Sequence, residues 1–238
     1  MAESKKFGII GAMDVEVAAL KARMEIDHIT EIASMSFCEG RLGSTPAVVV
    51  KCGMGKVNAG ICAQILITCF HVTHVINTGV AGSLDNRIDI GDLVISTDAV
   101  QHDYDVSPIG FQKGEIPYTG LFAFPADAVL RRLAVQAARA TTPEIGVFEG
   151  RICSGDQFIA DRAVKDRIVG QFGGLCAEME GASIAQVCWL NHIPFVIIRA
   201  ISDKADTSET VDFEAFVPMA AEHCTAVTAY IVTADKEC

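Results

Sequence analysis

The chain has 238 residues, with 19 basic against 30 acidic side chains and a net charge of −11; such a field repels phosphate backbones and argues against a nucleic-acid partner. No apolar run approaches the ~18 residues that a membrane helix needs, and Asp14 and Glu16 interrupt the one N-terminal stretch that could pass for a signal peptide. Half of the residues are hydrophobic and mean hydropathy is +0.35, which points to apolar surface buried between subunits, while nine scattered cysteines without a Cys-x-x-Cys pair fit reduced thiols in the cytoplasm.

Taken in chain order, short apolar runs of β type alternate with helical ones. A strand over Phe7–Ile10 ends in Gly11-Ala12-Met13 and leads into a helix over Val15–Met24, whose first turn carries Glu16. Strands over Ser36–Leu42 and Ala47–Cys52 follow. Gly53-Met54-Gly55-Lys56 then opens a helix over Val57–Cys69; only one residue separates the glycines, so this reads as a tight strand-to-helix turn rather than a phosphate loop. A strand over Val75–Thr78 runs into what reads as a second glycine turn, Asn77 to Gly82, where small residues let the backbone approach a ligand. Beyond a strand over Leu93–Val100, residues 102–120 hold Pro108, Pro117 and no clean period; irregular segments of this length are usually functional or interfacial. His102-Asp103-Tyr104-Asp105 within it lacks the second cluster that a metal site requires, so no metal is expected. The rest reads as helix Ala126–Ala140, strand Val147–Cys153, helix Ala163–Phe172, strand Leu175–Ala177, helix Met179–Asn191, strand Phe195–Ala200 and helix Phe213–Thr233, with a polar segment over Lys204–Val211 that reads equally as a lid or as a solvated connection. With no repeat or linker, this alternation implies one α/β domain over 1–238, a sandwich around a buried mixed sheet.

Acids sit at three of the joins. Glu16 follows the first strand, Glu178-Met179-Glu180 lies between a short apolar strand and a helix, and Asp203 closes the apolar run from Phe195. Ligands of open α/β sheets bind outside the carboxyl ends of the strands. If these strands are neighbours, the carboxylates converge on one pocket.

Six motifs occur in one order: Gly8 to Met13 with Glu16, Gly53 to Ala59, Asn77 to Gly82, Ser154 to Ile159, Glu178 to Glu180, and Arg199 to Asp203. Together they resemble the 5′-methylthioadenosine/S-adenosylhomocysteine nucleosidases of the purine nucleoside phosphorylase superfamily, from about Lys6 to about Ala234. The resemblance implies a three-layer α/β/α sandwich and, without a cofactor, hydrolysis of the N-glycosidic bond of an adenine nucleoside, with a role in methionine salvage. It implies Asp203 as the acid at purine N7, with Ser202 beside it. Glu180 would bind the ribose hydroxyls, and Glu16 would act on water in a cluster ordered by Arg199. Phe158 would stack on the base, Ile159 would read its edge, and Ala81 and Gly82 would flank base and ribose. Met54, Met179 and Phe213 would form the pocket for the 5′-alkylthio group. It further implies a homodimer in which Val106 and Pro117 close the partner's pocket. Many relatives carry serine where this chain has Val80, so Val80 is assigned no polar role. Three rivals stay open: a phosphorolytic relative, a hydrolase of another 5′-modified purine nucleoside such as aminofutalosine, and a non-catalytic nucleoside-binding protein.

Overall fold

The computed structural model describes residues 5–205 and 213–234, with side chains from 216 onward in the last helix. The elements run Phe7–Gly11 (β1), Asp14–Ala22 (α1), Met24–Ile32 (β2), Met35–Leu42 (β3), Thr45–Lys51 (β4), Lys56–Phe70 (α2), His74–Ser83 (β5), Leu93–Gln101 (β6), Phe124–Pro125 (β7), Ala128–Thr141 (α3), Val147–Ser154 (β8), Arg162–Phe172 (α4), Cys176–Glu178 (β9), Gly181–Leu190 (α5), Phe195–Asp203 (β10) and Phe213–Ala234 (α6).

The mixed sheet has the order β10-β6-β8-β9-β5-β1-β4-β3-β2. Because β10 also pairs with β5, five strands close into a ring, β5-β9-β8-β6-β10, and β1, β4, β3 and β2 extend from it as an open wing. β1 runs parallel to β4 and β5, and β10 parallel to β5. The carboxyl ends of these strands therefore point the same way.

Alternation along the strands divides the core. Ile10, Val48, Val50, Val75 and Ile197 face α2 and α5, packing with Ala59, Cys62, Ala182 and Cys188. Phe7, Ile9, Val49, Ile76 and Ile198 face the other layer, with Leu20 of α1, Ala134 of α3 and Val227 of α6. The three-layer sandwich expected from sequence is thus present, its central layer partly rolled up. The eight described cysteines are free thiols, and among the described residues no helix is long and apolar enough to cross a membrane.

Three readings are corrected. β2 has no counterpart among the strands read from sequence, and Met24, the last residue of the expected first helix, opens this strand instead. The isoleucines of β2 (Ile26, Ile29, Ile32) recur every third residue, and the strand is an edge with most side chains exposed, so it shows no period-2 burial signal. Asn77 to Gly82 is not a turn but the continuation of β5, in register with β10. β10 likewise runs through to Asp203. Of the connection read over Lys204–Val211, residues 206–211 lie outside the described residues, as does the side chain of Phe213.

Candidate active site

The site is assembled from the carboxyl ends of β1, β4, β5 and β10, joined by the segments that follow β8 and β9. Glu16 is placed by helix-start chemistry. Its Oε2 accepts the backbone N–H groups of Ala12 (2.6 Å) and Met13 (2.9 Å), the reach-back contact of an acid in the first turn. Its Oε1 accepts Val80 N–H at 3.0 Å. Gly79 permits that approach, since a Cβ there would lie 2.3 Å from Glu16 Oε1 and 2.9 Å from Arg199 Nη1.

Arg199 stands in the middle of β10 with 2 % exposure. Such a cation needs partners to remain inside. Its Nη2 donates to Glu178 Oε2 and, at 2.6 Å, to Asn77 Oδ1, and it lies 3.8 Å from Glu180 Oε2. Glu178 also accepts the Ser154 hydroxyl and the N–H groups of Glu180 (3.1 Å) and Gly181 (2.8 Å). Burial opposes its charge, but Arg199 and these donors prevail and hold its carboxyl below the usual range. Among the described residues, Glu180 is left with a single backbone donor, Gly55 N–H at 2.9 Å. Burial first, and then the Glu178 carboxylate, raise it to about 7 against the pull of Arg199. One guanidinium thus serves several carboxylates, and the best-paired of them keeps the charge.

Asp203 ends β10 half-buried. Its Oδ1 accepts Ala205 N–H (2.8 Å) and its Oδ2 the Ser202 hydroxyl (2.9 Å). The Ser202 hydroxyl also lies 3.4 Å from the Ala81 carbonyl oxygen, a second acceptor for its proton.

Glu16, Glu178, Glu180, Ser202 and Asp203 line one concave cleft, the kind of place in which small ligands bind. It brings together Glu16, Glu180 and Asp203 with Met54, Ala81, Gly82, Phe158, Ile159, Met179 and Ser202, all named from sequence. Val80 lines it as well and contributes its backbone N–H to Glu16. Arg199, grouped by sequence with the ligand-contacting residues, lies behind the wall and is not part of the lining. Val106 and Pro117 lie outside this chain's cleft. Sequence reasoning gave no role to Glu178, Asn77, Met13 or Gln157. A signal for Glu178 existed: an arginine inside an apolar strand demands a buried carboxylate, and Glu-x-Glu beside a short strand supplies one.

The sequence and the fold match known proteins. The family model described as the phosphorylase superfamily matches residues 6–233. A 5′-methylthioadenosine/S-adenosylhomocysteine nucleosidase of Geobacillus kaustophilus is 44% identical over 234 residues, covering 98% of each chain. One from Geobacillus sp. (strain WCH70) is 42% identical over 230 residues, covering 96% of this chain and 98% of its own. Among solved structures, the nucleosidase of that name from Neisseria meningitidis, in complex with methylthio-immucillin-A, superposes with a TM-score of 0.92 at 36% identity, over 97% of this chain and 99% of its own. The futalosine hydrolase of Helicobacter pylori does so with 0.91 at 32% identity, over 97% and 98%. The chain belongs to the phosphorylase superfamily and, within it, to the 5′-methylthioadenosine/S-adenosylhomocysteine nucleosidases.

Proposed function

We propose that the protein hydrolyses the N-glycosidic bond of 5′-methylthioadenosine and S-adenosylhomocysteine, releasing adenine and the 5′-thioribose, and that it acts as one hydrolase domain. The observation that carries this reading is the meeting of Glu16, Glu180 and Asp203 in one otherwise apolar cleft. The purine stacks on Phe158 beside Ile159, a contact typically worth ~1–3 kcal/mol per base. Asp203 gives a proton to N7, so the base leaves neutral, and the Ser202 hydroxyl holds that carboxyl in place. Glu180 holds the ribose hydroxyls and its negative charge offsets the cation that develops on the sugar. Glu16 takes a proton from the water that attacks C1′; its backbone donors fix its orientation, the Ala12 and Met13 N–H groups occupying Oε2, while Oε1, which accepts Val80 N–H, keeps a lone pair for that water.

Water is favoured over phosphate as the nucleophile because, among the described residues, the lining contains no lysine or arginine and carries Glu16, Glu178, Glu180 and Asp203. The test is adenine release from methylthioadenosine with and without phosphate, with the sugar identified. Free methylthioribose at an undiminished rate is expected; a sugar 1-phosphate formed only with phosphate overturns the reading. A second reading rests on the similarity to a futalosine hydrolase: both reactions cleave a purine nucleoside, and the competing rates of methylthioadenosine and aminofutalosine decide between them.

We read the functional unit as a homodimer. Met54 and Phe158 line the cleft yet are 63 % and 61 % exposed, so one chain leaves its pocket open. Val57 and Ile61, four apart on α2, and Ile109 and Tyr118 of the segment 102–120 are also exposed, which suits apolar contact with a second copy. Light scattering should give about twice the chain mass of 25.4 kDa. An active monomer would remove Val106 and Pro117 from the partner's pocket. Free thiols throughout the described residues fit a cytoplasmic enzyme of methionine salvage.

A further inference from the structure

Between the glycine turn before α2 and the segment that carries Phe158 lies a set of charges to which the proposed reaction gives no part. Lys56, the first residue of α2, donates from Nζ to Asp103 Oδ1 at 2.6 Å and to Gln101 Oε1 at 3.2 Å. Asp103 Oδ2 accepts Asp156 N–H at 2.8 Å. Asp156 returns the contact, its Oδ1 accepting Lys56 N–H at 2.8 Å. Gly55 occupies the N-cap of α2 and has no side chain to satisfy the first N–H groups of the helix, so Asp156 supplies from 100 residues away what a capping residue would supply locally. The clasp is backed by His102. Its N–H donates to Ser154 O at 2.9 Å, and its ring lies so close to Gly155 that a Cβ there would fall 2.4 Å from Nε2. Burial works against the charge of Asp103, but the hydrogen bonds from Lys56 and Asp156 outweigh it and hold that carboxyl below its usual range.

The clasp ties together two segments that supply the cleft's lining. On the α2 side it adjoins Met54 and Gly55, whose N–H holds Glu180. On the other it adjoins Gln157, Phe158 and Ile159. We infer that Asp103 and Asp156, joined through Lys56, are positioning residues that set the distance between the base-stacking segment and the ribose-side carboxylate, and so govern affinity for the adenine ring. The inference rests on the nucleosidase reading, and it extends to the interface, because Asp103 opens the segment 102–120.

The test compares Asp103→Asn, Asp156→Ala and Asp156→Asn with the parent, by calorimetry with adenine and by steady-state cleavage of methylthioadenosine. Asn at 156 keeps the capping oxygen, so Asp156→Asn should stay within about threefold of the parent in adenine Kd. Asp156→Ala and Asp103→Asn should bind adenine roughly 10- to 100-fold more weakly and raise KM in proportion, while kcat and the pH at which it falls change little. A Lys56→Met change added to Asp103→Asn should weaken binding by less than the sum of the two, since both break one contact. If the parent cleaves methylthioadenosine but Asp103→Asn and Asp156→Ala keep its adenine affinity, with only the melting temperature lowered, the clasp is structural and the inference falls alone. If the parent neither cleaves nor binds adenine, the functional reading falls with it.

Discussion

Replacing Arg199 by methionine removes the buried cation behind the cleft and keeps much of its length. In the native interior the guanidinium holds Glu178 directly and Asn77 at 2.6 Å, and stands 3.8 Å from Glu180. Without it, Glu178 and Glu180 face each other inside the protein, both at most 7 % exposed. Breaking a buried ion pair from one side costs about 3–5 kcal/mol, mainly because the abandoned charge stays desolvated. For a chain of this length that lowers Tm by roughly 6–20 °C. The pH dependence has a definite sign. The Glu178 carboxyl is held below its ordinary value in the folded protein, so its pairing stabilises above the unfolded pKa and is lost as pH falls. In Arg199→Met the folded-state pKa values of both acids rise above the unfolded ones, and protonation relieves the repulsion. The deficit against the parent should be largest near pH 8 and shrink toward pH 4.5. Adding Glu178→Gln removes one of the opposed charges and should recover roughly 1–3 kcal/mol. Thermal melts of the three proteins at pH 5 and pH 8 read all of this. A single variant as stable as the parent at pH 8, or a double variant no better than the single, would refute the account of the buried cluster.

Glu180 is raised to about 7, and in the proposed mechanism its charged form offsets the sugar cation; kcat/KM for methylthioadenosine should therefore fall about tenfold per pH unit below 7, and an acid limb near 4.5 would contradict it. Gly79→Ala inserts a methyl 2.3 Å from Glu16 Oε1; turnover should drop about 10²-fold with the global fold kept by circular dichroism, and undiminished turnover would show that Glu16 need not sit where it does. Glu16→Gln should bind a methylthioadenosine analogue about as well as the parent yet turn over far more slowly, because the proposed role of Glu16 is exercised on water; loss of analogue binding in calorimetry would move the water-activating role elsewhere. Asp203→Asn keeps the shape and removes the acid, so it should lose about 10²–10⁴-fold in rate, and near-parental turnover would unseat the assignment.

Much of the cleft could be read in the sequence because its parts lie where apolar runs stop. Glu16 after β1, Met179-Glu180 after β9 and Asp203 at the end of β10 are chain-local signals, since a carboxylate cannot continue a buried strand without a partner. The layered α/β class followed from the same alternation. What the sequence could not contain is which strands touch. Closure of β10 onto both β5 and β6 makes a ring of part of the sheet, and that closure brings Arg199 into register with Gly79 and within reach of Glu16. β2 escaped notice because an exposed edge leaves no alternation to detect, and Asn77 to Gly82 looked like a turn because its small residues serve a close approach of side chains, not a reversal of the chain. Glu178 and Glu180 stand two residues apart and look equivalent in the sequence. Tertiary packing makes them opposites: Arg199 and the Gly181 and Ser154 donors converge on the first and keep it charged, while the second, left with Gly55 N–H, is raised to about 7.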